Sequence, residues 1–182
     1  MAAETRGWPI SFVPVDASHY AMLERWLKLP HMREWWGDPA TELGYIRDMV
    51  EGRDSTKPFL ILVDGEAKGY IQYWFIGPHQ TEEWAQDNPW LMELPADAIG
   101  VDLSIGDPDL LSKGVGSQAL QAFVSMLREQ GHENIIIDPD PENHRAVSAY
   151  RKAGFRPVPN LEGRTEGVLI MQHVPGASAS VK

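Results

Sequence analysis

The chain has 182 residues, of which 43% are hydrophobic and 23% charged, a composition that suits one globular domain and not a disordered chain. The absence of cysteine excludes disulfides, thiolate zinc sites and a cysteine nucleophile. The net charge of −10, from 26 acidic and 16 basic residues, argues against a nucleic-acid partner.

The first half of the chain alternates short strands and helices. Hydrophobic spacing and capping residues predict a strand over 10–15 and then a helix over 16–28, which Pro30 ends. A turn over 31–38 that carries Trp35 and Trp36 follows, and then a helix over 41–51. Two strands, over 58–63 and 67–76, are joined by a turn at Asp64-Gly65.

The second half continues the alternation. It predicts an irregular segment over 77–95, a strand over 98–105, a strongly amphipathic helix over 114–130, an apolar strand over 134–137, a helix over 143–153 and a final strand over 166–174. Strands interspersed with helices indicate an α/β or α+β domain built around one mixed sheet.

Neither a membrane segment nor a metal site is predicted. No apolar run approaches the roughly 20 residues that span a bilayer, and the N-terminus lacks the basic and apolar regions of a signal peptide. We therefore expect a cytoplasmic protein with no membrane partner. None of the six histidines has metal-ligand spacing, so we assign no metal.

An acidic stretch separates Lys68 from Lys113. It contains no Lys or Arg but several Asp and Glu residues, so it could line a site for a cation. A solvated acidic surface is an equally good explanation of this stretch alone.

A glycine-rich turn precedes the strongest predicted helix. Lys113-Gly114-Val115-Gly116-Ser117 follows a strand and a loop, and the free N–H groups at a helix start suit a phosphate. Glycine at 114 and 116 would let the backbone approach the anion. Neither a P-loop nor a dinucleotide fingerprint is present, and a tight turn that only starts the helix is the alternative.

A second segment, residues 138–155, reads DPDPENHRAVSAYRKAGF. Asn143 and Tyr150 are seven residues apart and therefore lie near one face of the predicted helix, two turns from each other. An acidic loop, an Asn at a helix start, a Tyr two turns later and then Ala-Gly-Phe form a specific combination.

Together the two segments resemble the GNAT superfamily, which transfers acetyl groups from acetyl-coenzyme A to amines. The pattern N-x-x-A-x-x-x-Y-x-K-x-G-F is intact from Asn143 to Phe155, whereas Leu111 stands where the superfamily usually has Gln or Arg. The resemblance implies a single GNAT-like domain over residues 1–175, with a mixed, splayed central sheet flanked by helices, and a disordered tail over 176–182.

A narrower resemblance covers most of the chain. Six segments are similar to aminoglycoside 6′-N-acetyltransferases. They are the region 22–36 with E-W-W-G, Gly65-Glu66, Gly69–Gln72, Gly100-Val101-Asp102, the K-G-x-G loop and Asp138-Pro139. Acetyltransferases of siderophore hydroxylysine share this architecture. The segment 77–95 aligns poorly with these enzymes, and we expect it to govern the choice of acceptor.

The resemblance implies roles for the cofactor-binding residues, with acetyl-CoA as co-substrate. The backbone of Lys113, Gly114, Val115, Gly116 and Ser117 would hold the pyrophosphate. The strand containing Val101, Leu103 and Ile105 would pair with the pantetheine arm, and Asn143 would hydrogen-bond that arm or the pyrophosphate region.

Two residues are predicted to be catalytic. Tyr150 would donate a proton to the departing thiolate, since a tyrosine of pKa about 10 keeps its proton at neutral pH. Asp102 lies in mid-strand, where a lone carboxylate is unfavourable, and would bind the acceptor ammonium and accept its proton. A packed tyrosine and a salt-bridged aspartate are the alternatives.

Four further residues are predicted to contact the acceptor, together with Asp102. Trp35 and Trp36 could stack on sugar rings or a cation, although we expect one of them to fill the core beside Trp26. Alternation puts Tyr70, Gln72 and Trp74 on one strand face, with Gln72 an acceptor contact. Asp138 follows a strand end, where binding residues gather.

The predicted function is acetyl transfer to a primary amine of a small polycationic acceptor, most simply the 6′-amine of aminoglycosides, by direct attack in a ternary complex. The alternatives are a siderophore hydroxylysine or another metabolite amine, a protein N-terminus, and a non-catalytic CoA-binding module. The protein is expected to be a monomer or a homodimer.

Overall fold

A computed structural model describes residues 7–177. Within them seven strands form one sheet in the order β1-β2-β3-β4-β5-β7-β6. The strands are β1 (Ile10–Pro14), β2 (Lys57–Val63), β3 (Glu66–Phe75), β4 (Ile99–Ile105), β5 (Ile135–Ile137), β6 (Phe155–Pro157) and β7 (Met171–His173). The helices are α1 (Tyr20–Leu27), α2 (Pro30–Trp36), α3 (Pro39–Val50), α4 (Glu82–Asp87), α5 (Val115–Glu129) and α6 (His144–Lys152).

Helices cover both faces of the sheet, as predicted. On β2 and β3, Ile61 and Ile71 belong to the core cluster that contains the buried face of α5. Their neighbours Leu60 and Tyr70 belong to a second cluster with α1 and α3. This alternation follows from the two-residue period of a strand. Each fully buried Leu or Phe in these clusters contributes about 1.5–3 kcal/mol through removal of apolar surface from water.

The sheet divides between β4 and β5, the one parallel pair in the described part of the chain. β1 to β4 pair antiparallel along most of their lengths, whereas β4 and β5 share only the pairs Ile99–Ile135 and Gly100–Ile136. The second half of β4, residues 101–105, therefore has no strand partner on that side. The mixed, splayed sheet predicted from the sequence is confirmed.

Two segments are more regular than predicted. The predicted turn over 31–38 is wrong, because α2 occupies it: Pro30 is the first residue of a new helix, a position where its missing N–H is not needed. The predicted irregular segment 77–95 contains α4, whose N-cap is Thr81, and a turn of 3₁₀ helix on each side of α4.

The C-terminal strand prediction was too long. The predicted strand over 166–174 is reduced to β7, and the three-residue strand β6 was not predicted because it is too short to show a period. The predicted disordered tail covers residues 176–182. Within it, the Ala177 carbonyl accepts a hydrogen bond from Arg156 Nη2 (2.8 Å). Residues 178–182 lie outside the described residues. Among the described helices, none is long and apolar enough to cross a membrane.

Candidate active site

The divergence of β4 from β5 opens a cavity of about 330 Å³ at the start of α5. Because residues 101–105 have no partner strand here, backbone groups on this edge of β4 are available to an extended ligand. His31 occupies one of them by donating from Nε2 to the Ile105 carbonyl (2.7 Å), which fixes α2 to the end of β4. We call this the cofactor cavity; its walls include Trp35, Trp36, Leu103, Ile105, Leu111, Gly114, Gly116, Ser117, Asn143, Arg145, Ala146, Tyr150 and Lys152.

The start of α5 lies at the cofactor cavity and begins with a glycine, as the sequence predicts. Gly114 is the N-cap with φ of 84°, a left-handed conformation that favours glycine. A Cβ at Gly114 would meet only Gln118 Nε2, at 3.5 Å. The backbone conformation therefore favours glycine at 114, and a Cβ there would make only an ordinary contact.

Gly116 faces open space. A Cβ at this position has nothing within 4 Å, and the residue lines the cofactor cavity beside the unpaired N–H groups of the first helical turn. The helix dipole and these donors favour an anion, and Arg145 and Lys152 on α6 add positive charge to the cavity wall. The residues present therefore fit a phosphate-bearing ligand.

A second cavity of about 300 Å³ adjoins the cofactor cavity and has the opposite charge. The two share Trp35, Trp36, Leu103, Asn143, Ala146 and Tyr150. Four carboxylates, Glu42, Asp102, Asp138 and Asp140, line the second cavity together with Gln72. We call it the acidic cavity. An acidic cavity without basic residues on its wall suits an acceptor with several positive charges.

Hydrogen bonds orient Asp102 at the cavity wall. Tyr70 donates from its hydroxyl to Gln72 Oε1 (2.6 Å), and Gln72 Nε2 donates to Asp102 Oδ2 (2.9 Å). Gln72 and Asp102 are direct partners in the β3–β4 register. Because the buried Tyr70 hydroxyl takes up the amide oxygen, the amide nitrogen of Gln72 is directed at the carboxylate. Gln72 therefore acts on Asp102 as well as lining the cavity.

Burial changes the proton affinities of these carboxyls. It raises the pKa of Asp102 above its usual value, against the opposing hydrogen bonds from Gln72 and Trp74. Burial, followed by the nearby charge of Asp102, raises the pKa of Asp138 well above its usual range. Burial also raises the pKa of Glu42, with further increases from Asp102 and Asp38. Asp102 is therefore a stronger base than an ordinary aspartate.

Tyr150 stands where the two cavities meet. Burial and then the charges of Asp102 and Asp138 raise the pKa of its hydroxyl far above neutrality. The phenol therefore stays protonated at neutral pH and can donate its proton to a group that becomes negative during a reaction.

The adjacent tryptophans both line the cofactor and acidic cavities. Trp36 also packs against the cluster that contains Trp26 and meets Tyr70 edge-to-face, with ring centroids 5.6 Å apart. Trp36 therefore combines the predicted core role with a place at the site. Trp35, unlike Trp36, is not among the residues packed against that cluster.

Three predicted cofactor-binding residues do not present side chains to the cofactor cavity. Val101 and Val115 are completely buried in the main core cluster, so only their backbone groups could contact a ligand. The Lys113 side chain is exposed and outside the cavity wall, while its carbonyl accepts a hydrogen bond from Trp8 Nε1 (3.1 Å).

Several site residues were missed by the sequence analysis. No sequence pattern marked Glu42 as a site residue, because only the tertiary fold brings its helix close to Asp102. His31 was hidden by the wrongly predicted turn. Arg145 and Lys152 repeat the seven-residue spacing of Asn143 and Tyr150, a signal that could have found them. Within residues 7–177, no group of three or more His, Asp or Glu side chains could hold a metal ion.

Comparison with known proteins identifies the class. Residues 16–162 match the family described as acetyltransferase (GNAT) domain. The chain is 32% identical to aminoglycoside N(6′)-acetyltransferase type 1 of Klebsiella pneumoniae over 142 residues, which are 74% of this chain and 68% of that protein.

Solved structures agree with the family match. AAC(6′)-Ib in complex with coenzyme A and kanamycin superposes with a TM-score of 0.73 at 26% identity, covering 92% of this chain and 96% of that one. Its complex with ribostamycin and coenzyme A also gives 0.73, at 25% identity and with 92% and 94% coverage. The chain belongs to the GNAT acetyltransferase family.

Gly116→Val should weaken acetyl-CoA binding, because its side chain would fill the space beside the free N–H groups of α5. We expect the Kd measured by calorimetry to rise at least about tenfold, equivalent to 1.4 kcal/mol. Gly44→Val is the matched control, since Gly44 is a helical glycine in α3 with equally open surroundings and no place in the cofactor cavity. Equal Kd values for both variants and the wild type would place the phosphates elsewhere.

Asp138→Asn should stabilise the protein at neutral pH. Since folding raises the pKa of Asp138 above its unfolded value near 3.8, the folded state loses stability as the pH rises through the folded pKa. The substitution removes this penalty. We expect a higher Tm than wild type at pH 7.5 and a difference that shrinks as the pH approaches 4.

The exposed Asp140→Asn on the same loop is the control and should change Tm little at either pH. A pH-independent difference for Asp138→Asn would show that the carboxyl has no raised pKa.

Proposed function

We propose that this protein transfers the acetyl group of acetyl-CoA to the 6′-amine of aminoglycosides. The observation that carries the proposal is the pair of adjoining cavities of opposite charge, one with helix N–H groups and basic side chains, the other with four carboxylates. The relatives named above are aminoglycoside acetyltransferases, one of them solved with coenzyme A and kanamycin, and they support the same assignment.

The cofactor cavity would hold acetyl-CoA through its phosphates and its pantetheine arm. N–H groups at the start of α5 would take the pyrophosphate, with Arg145 and Lys152 supplying charge. The free edge of β4 would pair with the amides of the pantetheine arm. Asn143 Oδ1 already accepts from Ala146 N (3.2 Å) as the cap of α6, so its side-chain amide nitrogen is the group left for the ligand.

The acidic cavity would hold the acceptor through its positive charges. Burial destabilises the ionised forms of Asp102, Asp138 and Glu42. An ammonium group nearby would offset this effect, because a cation stabilises an ionised carboxylate. Trp35 and Trp36 provide flat apolar walls for sugar rings. Binding of a polycation and ionisation of the carboxylates are therefore mutually favourable.

The transfer needs a neutral amine and a proton for the leaving sulfur. Acetyl-CoA supplies an activated thioester when bound. Asp102, oriented by Gln72, would accept a proton from the acceptor ammonium, directly or through water, and its raised pKa makes this easier. The amine would then attack the thioester carbonyl directly. Tyr150 would give its proton to the departing thiolate.

Most of the rate increase would come from orientation. The two cavities meet at Tyr150, so both substrates can be held against each other without a covalent carrier on the protein. Holding two reactants in place and aiming fixed charges at the developing ones are the largest contributions that such a site can make.

Release of thiol from acetyl-CoA with a panel of amines tests the proposal. The panel contains aminoglycosides with and without a 6′-amine, N6-hydroxylysine, spermidine and a short peptide. We expect turnover with the 6′-amino compounds alone. Preferential turnover of hydroxylysine or the peptide would retain the acetyltransferase chemistry and overturn the acceptor, while acetyl-CoA binding without any turnover would indicate a non-catalytic module.

Asp102→Asn should lower kcat/KM for the aminoglycoside at least about tenfold, a loss of 1.4 kcal/mol or more in transition-state stabilisation. The amide keeps the shape of the side chain but can neither take up the proton nor offset an ammonium charge. Asp64→Asn, in the exposed β2–β3 turn, is the control for removal of one acid. Wild-type kinetics in the Asp102 variant would exclude the role assigned to it.

A further inference from the structure

The segment that precedes β1, residues 7–9, lies against the start of α5. The Trp8 backbone N–H donates to Gln118 Oε1 (2.8 Å), and the Trp8 indole donates from Nε1 to the Lys113 carbonyl (3.1 Å). On the other side, the Pro9 carbonyl accepts from Asp64 N (2.8 Å) in the β2–β3 turn. Both N–H groups of Trp8 therefore bind the start of α5, which is 105 and 110 residues away in the sequence.

The Trp8 side chain lies outside the cofactor cavity. It is half-buried, packs against the main core cluster and is not part of the cavity wall. Its indole N–H nevertheless binds the peptide that joins Lys113 to Gly114, and Gly114 lines the cavity. Any effect of Trp8 on a ligand must therefore act through this peptide.

The turn that Trp8 holds has an unusual backbone. Ser112 and Gly114 flank Lys113, and both have left-handed φ angles, of 60° and 84°. Ser112 is one of two non-glycine residues with positive φ in the described part of the chain. A non-glycine residue in this region is disfavoured and persists where surrounding contacts fix the backbone. The hydrogen bond from the Trp8 indole is one such contact.

Peptide geometry links the bound carbonyl to the cavity. In a trans peptide the C=O and the N–H of the next residue point in opposite directions. Since Trp8 binds the Lys113 carbonyl from outside the cavity, the Gly114 N–H is directed away from Trp8. This N–H has no acceptor among residues 7–177. It is therefore free to act together with the unpaired N–H groups in the first turn of α5.

We propose that Trp8 is a positioning residue for the coenzyme. Its indole N–H fixes the Lys113–Gly114 peptide, so that the Gly114 N–H is already oriented to receive the pyrophosphate. This rests on the proposed function, which puts the pyrophosphate at this turn. A carbonyl that is held in advance reduces the entropy lost when the turn is ordered around a ligand. The role needs both properties of tryptophan, a ring that packs on the core and an N–H donor at its edge.

Trp8→Phe tests this role, because it keeps an aromatic ring on the core and removes the donor. We expect the Kd of CoA, measured by calorimetry, to rise about fivefold, the order of one hydrogen bond. In the thiol-release assay with a 6′-amino aminoglycoside, KM for acetyl-CoA should rise by a similar factor.

The same assay separates a positioning role from a general structural one. For Trp8→Phe we expect less than about a twofold change in kcat and in KM for the aminoglycoside. S-acetylpantetheine has the thioester and the pantetheine arm but no phosphate groups. Its kcat/KM should therefore also change by less than about twofold.

Tyr45→Phe is the matched control, because Tyr45 is an exposed aromatic residue, at 52%, on α3 and outside the cofactor and acidic cavities. Loss of its hydroxyl should leave the Kd of CoA unchanged. Gln118→Met removes the acceptor of the Trp8 backbone N–H. It should also raise the Kd of CoA, and it serves if Trp8→Phe does not fold.

An unchanged Kd of CoA in Trp8→Phe would overturn the positioning role. Equal losses of kcat/KM with acetyl-CoA and with S-acetylpantetheine would overturn it as well. If the wild type binds CoA but acetylates no amine, the proposed acetyl transfer fails. In that case the calorimetric values still test Trp8, since a Kd that rises in Trp8→Phe but not in Tyr45→Phe supports the role and equal Kd values contradict it.

Discussion

The structure depends on the early separation of two parallel strands. β4 and β5 pair at only two positions, and beyond Gly100 the β4 backbone has no strand partner on that side. Unpaired backbone groups are expensive to bury without a partner. At this opening the protein leaves them facing a cavity, next to the equally unpaired N–H groups at the start of α5. One interruption of the sheet therefore leaves two sets of backbone groups facing the same cavity.

The buried carboxylates of the acidic cavity are unfavourable for the stability of the folded protein. Asp102 and Asp138 lie close enough for their charges to interact, in surroundings that penalise ionisation. Removal of such a charge commonly stabilises a protein and weakens its activity. Under the proposed function, the ammonium groups of the acceptor supply the missing positive charge. The cost of ionising these carboxylates in the free protein therefore favours the binding of cations.

Much of the architecture could be predicted because its signals are local. Amphipathic spacing over 114–130 predicted α5, alternation placed Tyr70 and Gln72 on one face, and the patterns around Gly114 and Asn143 pointed to the family. The errors arose where a short element leaves no period to detect. The helix α2 begins at a proline that was taken only as a stop, and β6 has three residues.

The sequence by itself determined the fold class and the acetyltransferase family, because helix caps, glycine turns and motif spacing are properties of neighbouring residues. The tertiary structure decided which charges face one another. Glu42 and Asp102 are far apart in the chain, and only the packing of α3 against the sheet brings them to one cavity. Burial, and with it the raised pKa values of the carboxyls, depends on all the elements that surround a group, which no local pattern records.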